Sequence, residues 1–106
     1  MELETSGCAA AEPYALRVIG DSMTPEFEDG HIIIVDPGMP ASHGAYVVVD
    51  YDGETTFRQF IVEEGRKLLR ALNPAYPDTP IEGAYNVRGV VIQRSRPGRR
   101  NIKHYY

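Results

Sequence analysis

Ser22 has the most scope for chemistry in this 106-residue sequence. It stands in Val18-Ile19-Gly20-Asp21-Ser22-Met23-Thr24-Pro25, between the end of a short apolar run and a tight turn. A serine on such a bend is exposed, and nearby backbone N–H groups can stabilise an oxyanion formed there. The plainer reading is that Ser22 only helps cap the turn, and the local pattern alone favours it. Rival chemistries are weaker still. His31, His43 and His104 are far apart in sequence, and a single Cys8 supplies no pair spacing for a metal. Cys8 lies in a small, acidic lead-in, a poor place for a Cys–His nucleophile. The acids from Asp21 to Asp36 follow no calcium-loop spacing, and no glycine-rich loop precedes a helix to cradle phosphate. No cofactor or metal is implied. Arg94, Arg96, Arg99, Arg100 and Lys103 form a basic run, read first as a solvated tail and second as a phosphate contact.

The elements that must hold Ser22 are short. Ten Gly and eight Pro in so small a chain point to many short strands rather than a few long helices. Tyr14 to Ile19 reads as a strand ended by Gly20, and Thr24 to Gly30 as one helical turn with Thr24 at its N-cap and Pro25 first. His31 to Asp36 is a second strand, apolar on both faces and therefore central. Asp52-Gly53 between Ala45–Tyr51 and Glu54–Val62 is a hairpin signal. Lys67 to Leu72 and Val87 to Arg94 complete the strands. Asn73 to Pro80, with three prolines, reads as irregular. The expected fold is mostly β: one compact, strongly twisted or partly closed antiparallel domain of about seven strands. It spans residues 14–96, after a flexible lead-in (1–13) and before a loose basic and aromatic tail (97–106).

Composition narrows the function. Charged residues are 25% and hydrophobic residues 42%, so wholesale disorder is excluded. Unbroken apolar runs such as Ile32 to Val35 fall far short of the roughly 18 residues of a membrane span. No secretory signal is visible, and the lone cysteine cannot form an intrachain disulfide, so the cytoplasm is the expected compartment. A net charge of −4 argues against nucleic acid as this domain's own partner.

Several motifs acquire meaning together. Gly20-Asp21-Ser22-Met23, Pro25, and Asp29-Gly30 leading into an apolar strand resemble the self-cleaving Ser-Lys peptidases of the LexA, phage-repressor and UmuD type. His43-Gly44 ahead of Ala45 to Val49, and Gly53 to Phe60, resemble that family's next two strands, the second carrying its catalytic lysine. Leu72-Asn73-Pro74-Ala75-Tyr76-Pro77 resembles a following loop, and Gly89-Val90-Val91-Ile92 the closing strand. The resemblance runs from about Tyr14 to Arg94 in the family's order. It implies the LexA C-terminal, signal-peptidase-like fold, a cytoplasmic homodimer, and a serine that attacks the protein's own N-terminal linker with a neutral lysine as base. Ser22 then corresponds to the nucleophile, the N–H groups of Asp21 and Ser22 to the oxyanion donors, and position 58 to the base. Partners implied by resemblance are a polymerase or a recombinase filament, in transcription regulation or the SOS response; DNA is reached only through a separate upstream domain, and no membrane is involved.

Position 58 is arginine. Burial can drive a lysine neutral, whereas an arginine is effectively never deprotonated in a protein. Residues 1 to 21 also hold no Ala-Gly or Cys-Gly pair of the kind the family cuts. No helix-turn-helix precedes the domain, so the chain is expected to be either a fragment or a stand-alone unit like UmuD. Two readings result. One is a peptidase-fold domain impaired in autoproteolysis and kept for dimerisation and regulation; the other is an active autopeptidase with an unconventional base, for which Lys67 is the only lysine nearby in sequence. A small ligand-binding β-barrel is a third, marked by a deep apolar cavity. The arginine favours the first. Arg58 is expected beside Ser22, its guanidinium held by carboxylates or carbonyls, because an unpaired buried charge is costly.

Overall fold

The computed structural model describes residues 12–98 and 102–105. Most of the 1–13 lead-in, with Cys8, and also Arg99 and Arg100, lie outside the described residues.

The described chain is one antiparallel sheet with no helix. Its strands are β1 (Tyr14–Arg17), β2 (Ile32–Asp36), β3 (Tyr46–Tyr51), β4 (Glu54–Glu63), β5 (Arg66–Arg70), β6 (Thr79–Pro80), β7 (Tyr85–Ser95) and β8 (Lys103–His104). They lie in the order β1-β2-β7-β3-β4-β5-β6, and β8 pairs with β7 beyond the end of β3. The hairpin at Asp52-Gly53 forms as the sequence predicts: both residues have positive φ, 52° and 80°, and Tyr51 pairs with Glu54. Glu64-Gly65 makes a second such turn, at φ 51° and 77°, between β4 and β5.

Alternation on the central strands divides the core between the two faces of the sheet. Val48 and Val91 point to one face, where they meet Ile33, Val35, Met23 and Phe27. Val47, Val49 and Val90 point to the other, against Phe60 and Leu69. Two bulges, at Ile34/Val35 against β7 and at Val48/Val49 against β7, add local twist. Gly89 lies opposite Val48, and a Cβ there would come within 2.5 Å of Val35 Cγ1 and 3.0 Å of the Asp36 carbonyl oxygen. The glycine of the closing motif therefore serves close packing of β7 on β2.

Five expectations need correction. β2 is interior but lies one strand from the edge; β3 is the middle strand, between β7 and β4. Residues 24–30 form turns, not a helix, with a single Phe27 N–H to Met23 carbonyl bond of 2.9 Å. Thr24 does not cap a helix; its hydroxyl donates to the Asp21 carbonyl at 2.9 Å. The tail is not loose throughout. Lys103 and His104 pair with Arg94 and Gln93, and Tyr105 packs at 5.3 Å from Phe27 between ring centres. Burying that phenol against an aromatic cluster outweighs the ordering entropy that the basic composition suggested would prevail. Two-residue β6 likewise falls inside the proline-rich stretch read as irregular.

Candidate active site

Ser22 sits where the β1–β2 ladder runs out. Val18 N–H donates to the His31 carbonyl and Gly30 N–H to the Val18 carbonyl, both at 2.8 Å. The chain then turns at Gly20, whose φ of 91° an L side chain rarely adopts. The Asp29 carboxylate accepts the Gly20 N–H at 2.8 Å, so the Asp-Gly motif tethers the Ser22 bend to the start of β2. Just beyond Ser22, Met23 and Phe27 are almost wholly buried, at 1% and 0% exposure. Burying two such side chains contributes about 1.5–3 kcal/mol each. Phe27 meets Tyr46 and Phe57 edge-on, each at 4.9 Å. Ser22 is thereby a half-buried residue on a pinned bend.

A second support comes from the loop after β5. Asn73 donates its backbone N–H to the Ser22 carbonyl and its side-chain amide to the Asp21 carbonyl, both at 3.0 Å. Its own amide oxygen accepts the Ala75 N–H at 2.9 Å, which fixes the side chain. The Tyr76 hydroxyl donates to Asp21 Oδ1 at 2.6 Å, and that contact with the carboxylate raises the phenol's pKa. Among the described residues, no acceptor takes the Asp21 or Ser22 N–H, the two donors the family pattern assigns to an oxyanion.

A third contact reaches the bend from residue 26. The Glu26 carboxylate accepts bonds from Arg94 (3.2 Å), Lys103 (2.6 Å) and the Tyr105 hydroxyl (2.5 Å). Burial pushes the Glu26 carboxyl up, but the bonds from Lys103 and Tyr105 and the nearby charges outweigh it and hold it below the usual range. Burial, then the bond to Glu26, pushes the Tyr105 phenol far up. Sequence reasoning missed this clamp because it read the tail from its charge. The two terminal tyrosines were the available signal. Asn73 and Tyr76 were seen only as a motif, without a role.

Arg58, on β4, brings its Nη1 to 3.1 Å from Ser22 Oγ and donates to it. The same nitrogen donates to the Phe57 carbonyl at 2.7 Å. Ser22 and Arg58 share a cleft of about 330 Å³ between β1 and β4, with Arg17, Thr55 and Thr56 as its other polar side chains. Among its lining residues there is no lysine, histidine or carboxylate. Lys67 is exposed on β5, its Nζ 5.6 Å from the centre of the Tyr85 ring. Lys103 is bound to Glu26. His43 Nδ1 accepts the Val62 N–H at 3.0 Å, far along β4, and His31 Nδ1 accepts the Glu28 N–H at 2.8 Å. Burial first, then Arg94 and Arg96, lowers the His31 pKa and keeps that ring neutral. Among the described residues no three side chains of metal-ligating type come together.

An arginine at this distance orients the serine hydroxyl but cannot take its proton. The guanidinium is a donor only, so the contact occupies an oxygen lone pair and leaves the hydroxyl hydrogen in place. Nucleophilic attack needs the reverse, an acceptor roughly 2.6–3.2 Å from the hydroxyl.

Comparison with known proteins bears on this geometry. Residues 2–92 match the family model described as Peptidase S24-like. The chain is 44% identical over 94 residues to the prophage repressor CohE of Escherichia coli (strain K12), covering 85% of this chain and 42% of that protein. It is 37% identical over 95 residues to the repressor protein C2 of Salmonella phage P22, covering 84% and 44%. It is 34% identical over 99 residues to a LexA repressor of Verrucomicrobium spinosum, covering 92% and 48%. The chain thus spans less than half the length of these curated relatives.

Proposed function

We infer the function from the family: this chain belongs to the Peptidase S24-like family, and its relatives are repressors of prophages, phages and LexA type. It is a regulatory domain of that family. We propose that it no longer cleaves peptide bonds and acts by association, as the dimerising, partner-recruiting half of a repressor-type regulator, including SOS-type control.

One observation carries this reading: the cleft around Ser22 offers the hydroxyl an arginine and no base. A serine alcohol left protonated attacks an amide far too slowly to serve as a switch, because the base supplies a factor of 10²–10⁴ on its own. The rest of the device remains. The bend, its anchors Met23 and Phe27, and the Asn73 brace hold Ser22 as a working nucleophile would be held. That preserved scaffold is what favours the second reading, an autopeptidase whose base is supplied from elsewhere.

Intact-mass analysis of the purified chain after incubation from pH 7 to pH 10 separates the two. The proposal expects one unchanged mass; loss of an N-terminal fragment in wild type but not in Ser22→Ala establishes the second reading. Association is tested by sedimentation equilibrium at tens of micromolar. A symmetric dimer is expected, and a clean monomer removes the association half of the proposal.

A further inference from the structure

We propose that the Ser22–Arg58 cleft is a receptor for the C-terminal carboxylate of a peptide whose last side chain is apolar. The inference rests on the reading that hydrolysis is lost, and names what the site then binds.

The first ground is the state of the Arg58 cation. Of the other described arginines, four meet a carboxylate, Arg70 with Asp78, Arg88 with Asp50, Arg94 with Glu26 and Arg96 with Glu28, and the remaining two, Arg17 and Arg66, are exposed to solvent. Arg58 is half-buried and, among the described residues, meets none. Its Nη1 is spent on Ser22 Oγ and the Phe57 carbonyl. Its Nε and Nη2 hydrogens have no acceptor among the described residues. A guanidinium has a planar fork of donors that matches a carboxylate through two parallel bonds.

The second ground is what surrounds that fork. Because Arg58 donates to Ser22 Oγ, the hydroxyl hydrogen is free to point at a bound anion. The Asp21 and Ser22 N–H groups lie on the same bend. An arrangement made to hold a developing oxyanion holds a permanent one better once a fixed cation replaces a neutral amine. A peptide bond offers no such charge, so the substitution shifts the preference of the site from an internal amide to a chain terminus.

The third ground is the size and lining of the cleft. Leu16, Ile19, Met23, Ile33 and Phe57 give it an apolar wall, and at about 330 Å³ it lies at the small end of ligand pockets, roughly 300–1,000 Å³. That is room for one terminal residue and part of the next. Beside it, β1 is an edge strand paired only with β2. With Val18 bonded to β2, the alternating partners Arg17 and Ile19 turn their backbone groups to the open edge. An extended peptide can take those bonds while its terminus enters the cleft, the mode of recognition in which backbone pairing gives affinity and an end-group gives selectivity.

The test uses two probes, N-acetyl-Ala-Ala-Leu with a free carboxylate and the same peptide as its C-terminal amide. Each is titrated into the ¹⁵N-labelled chain while the peptide's own proton spectrum is followed in the same tube. The expected result is saturable shifts at Asp21, Ser22 and Phe57 and at the Arg58 side-chain Nε. The acid is expected to bind at least tenfold more tightly than the amide, with that preference lost in Arg58→Gln. Equal binding of acid and amide by wild type, or no shifts with either, overturns the inference and needs no variant to do so. Cleavage of either probe appears as new peptide signals, and marks instead the failure of the reading that hydrolysis is lost.

Discussion

Replacing Arg58 with lysine should return a proton acceptor to Ser22. The present contact is 3.1 Å, inside the roughly 2.6–3.2 Å that general-base catalysis needs. At pH 7 an arginine side chain offers a neutral fraction on the order of 10⁻⁵ or less. An unperturbed lysine, with a pKa near 10.4, is about 4% neutral at pH 9. Burial in this cleft lowers the amine further, and each unit of lowering multiplies the neutral fraction about tenfold until it saturates. A fully neutral positioned base contributes about 10²–10⁴, and even the unperturbed fraction leaves about 4–400, so Arg58→Lys should cut a supplied Ala-Gly peptide at least about fourfold faster than wild type at pH 9. The rate should rise with pH, because the neutral amine is the active form, and vanish when Ser22→Ala is added. The loss of a charge-assisted bond to the Phe57 carbonyl costs about 1.5–3 kcal/mol, so the melting temperature is recorded alongside. Mass spectrometry of the peptide gives the rate, and the ¹⁵N shift of the new amine gives its pKa. A folded variant with a neutral amine at pH 9 and an intact peptide refutes the argument that the base is what is missing.

Asn73→Ala removes the side-chain amide that holds the Asp21 carbonyl and should lower stability by about 1–3 kcal/mol in urea denaturation; it should also broaden the amide resonances of Asp21 and Ser22, and unchanged resonances contradict the bracing role. Gly89→Ala drives a Cβ to 2.5 Å from Val35 Cγ1, so a loss of about 1–3 kcal/mol is expected from the same measurement, and an unchanged midpoint contradicts it. His31 has a lowered pKa in the fold, so the unfolded chain takes up the proton first. Its contribution is therefore complete above pH 6.5, its ordinary pKa, and is lost as pH falls from there through the folded value. Thermal midpoints should drop between pH 7 and 5 more steeply in wild type than in His31→Gln, and equal slopes contradict this.

The architecture was legible where chemistry is local. Asp52-Gly53 needs two positive φ angles and dictates a hairpin whatever surrounds it. The β-rich runs on either side of that turn, Ala45–Tyr51 and Glu54–Val62, were likewise legible and correspond to β3 and β4, whereas the central position was assigned to His31–Asp36 and belongs to β3. What was not legible depends on contacts distant in sequence. Tyr105 joins the core only because Phe27, Tyr46 and Glu26 are already in place, 59 or more residues earlier. Thr24 looked like a helix cap, yet its hydroxyl found the Asp21 carbonyl, and Asn73 reached over from 49 residues away. The Ser22–Arg58 juxtaposition came from the family resemblance, since 36 residues and two strands separate the pair. That neither lysine lines the cleft could be learned only from the fold.

The central claim is that an arginine facing Ser22 leaves the hydroxyl without a base. The most direct measurement incubates wild type and Ser22→Ala with a supplied Ala-Gly peptide from pH 7 to pH 10 and counts cleavage products by mass spectrometry. The two proteins should give the same background at every pH. Product formed by wild type alone, dependent on Ser22, would contradict the claim.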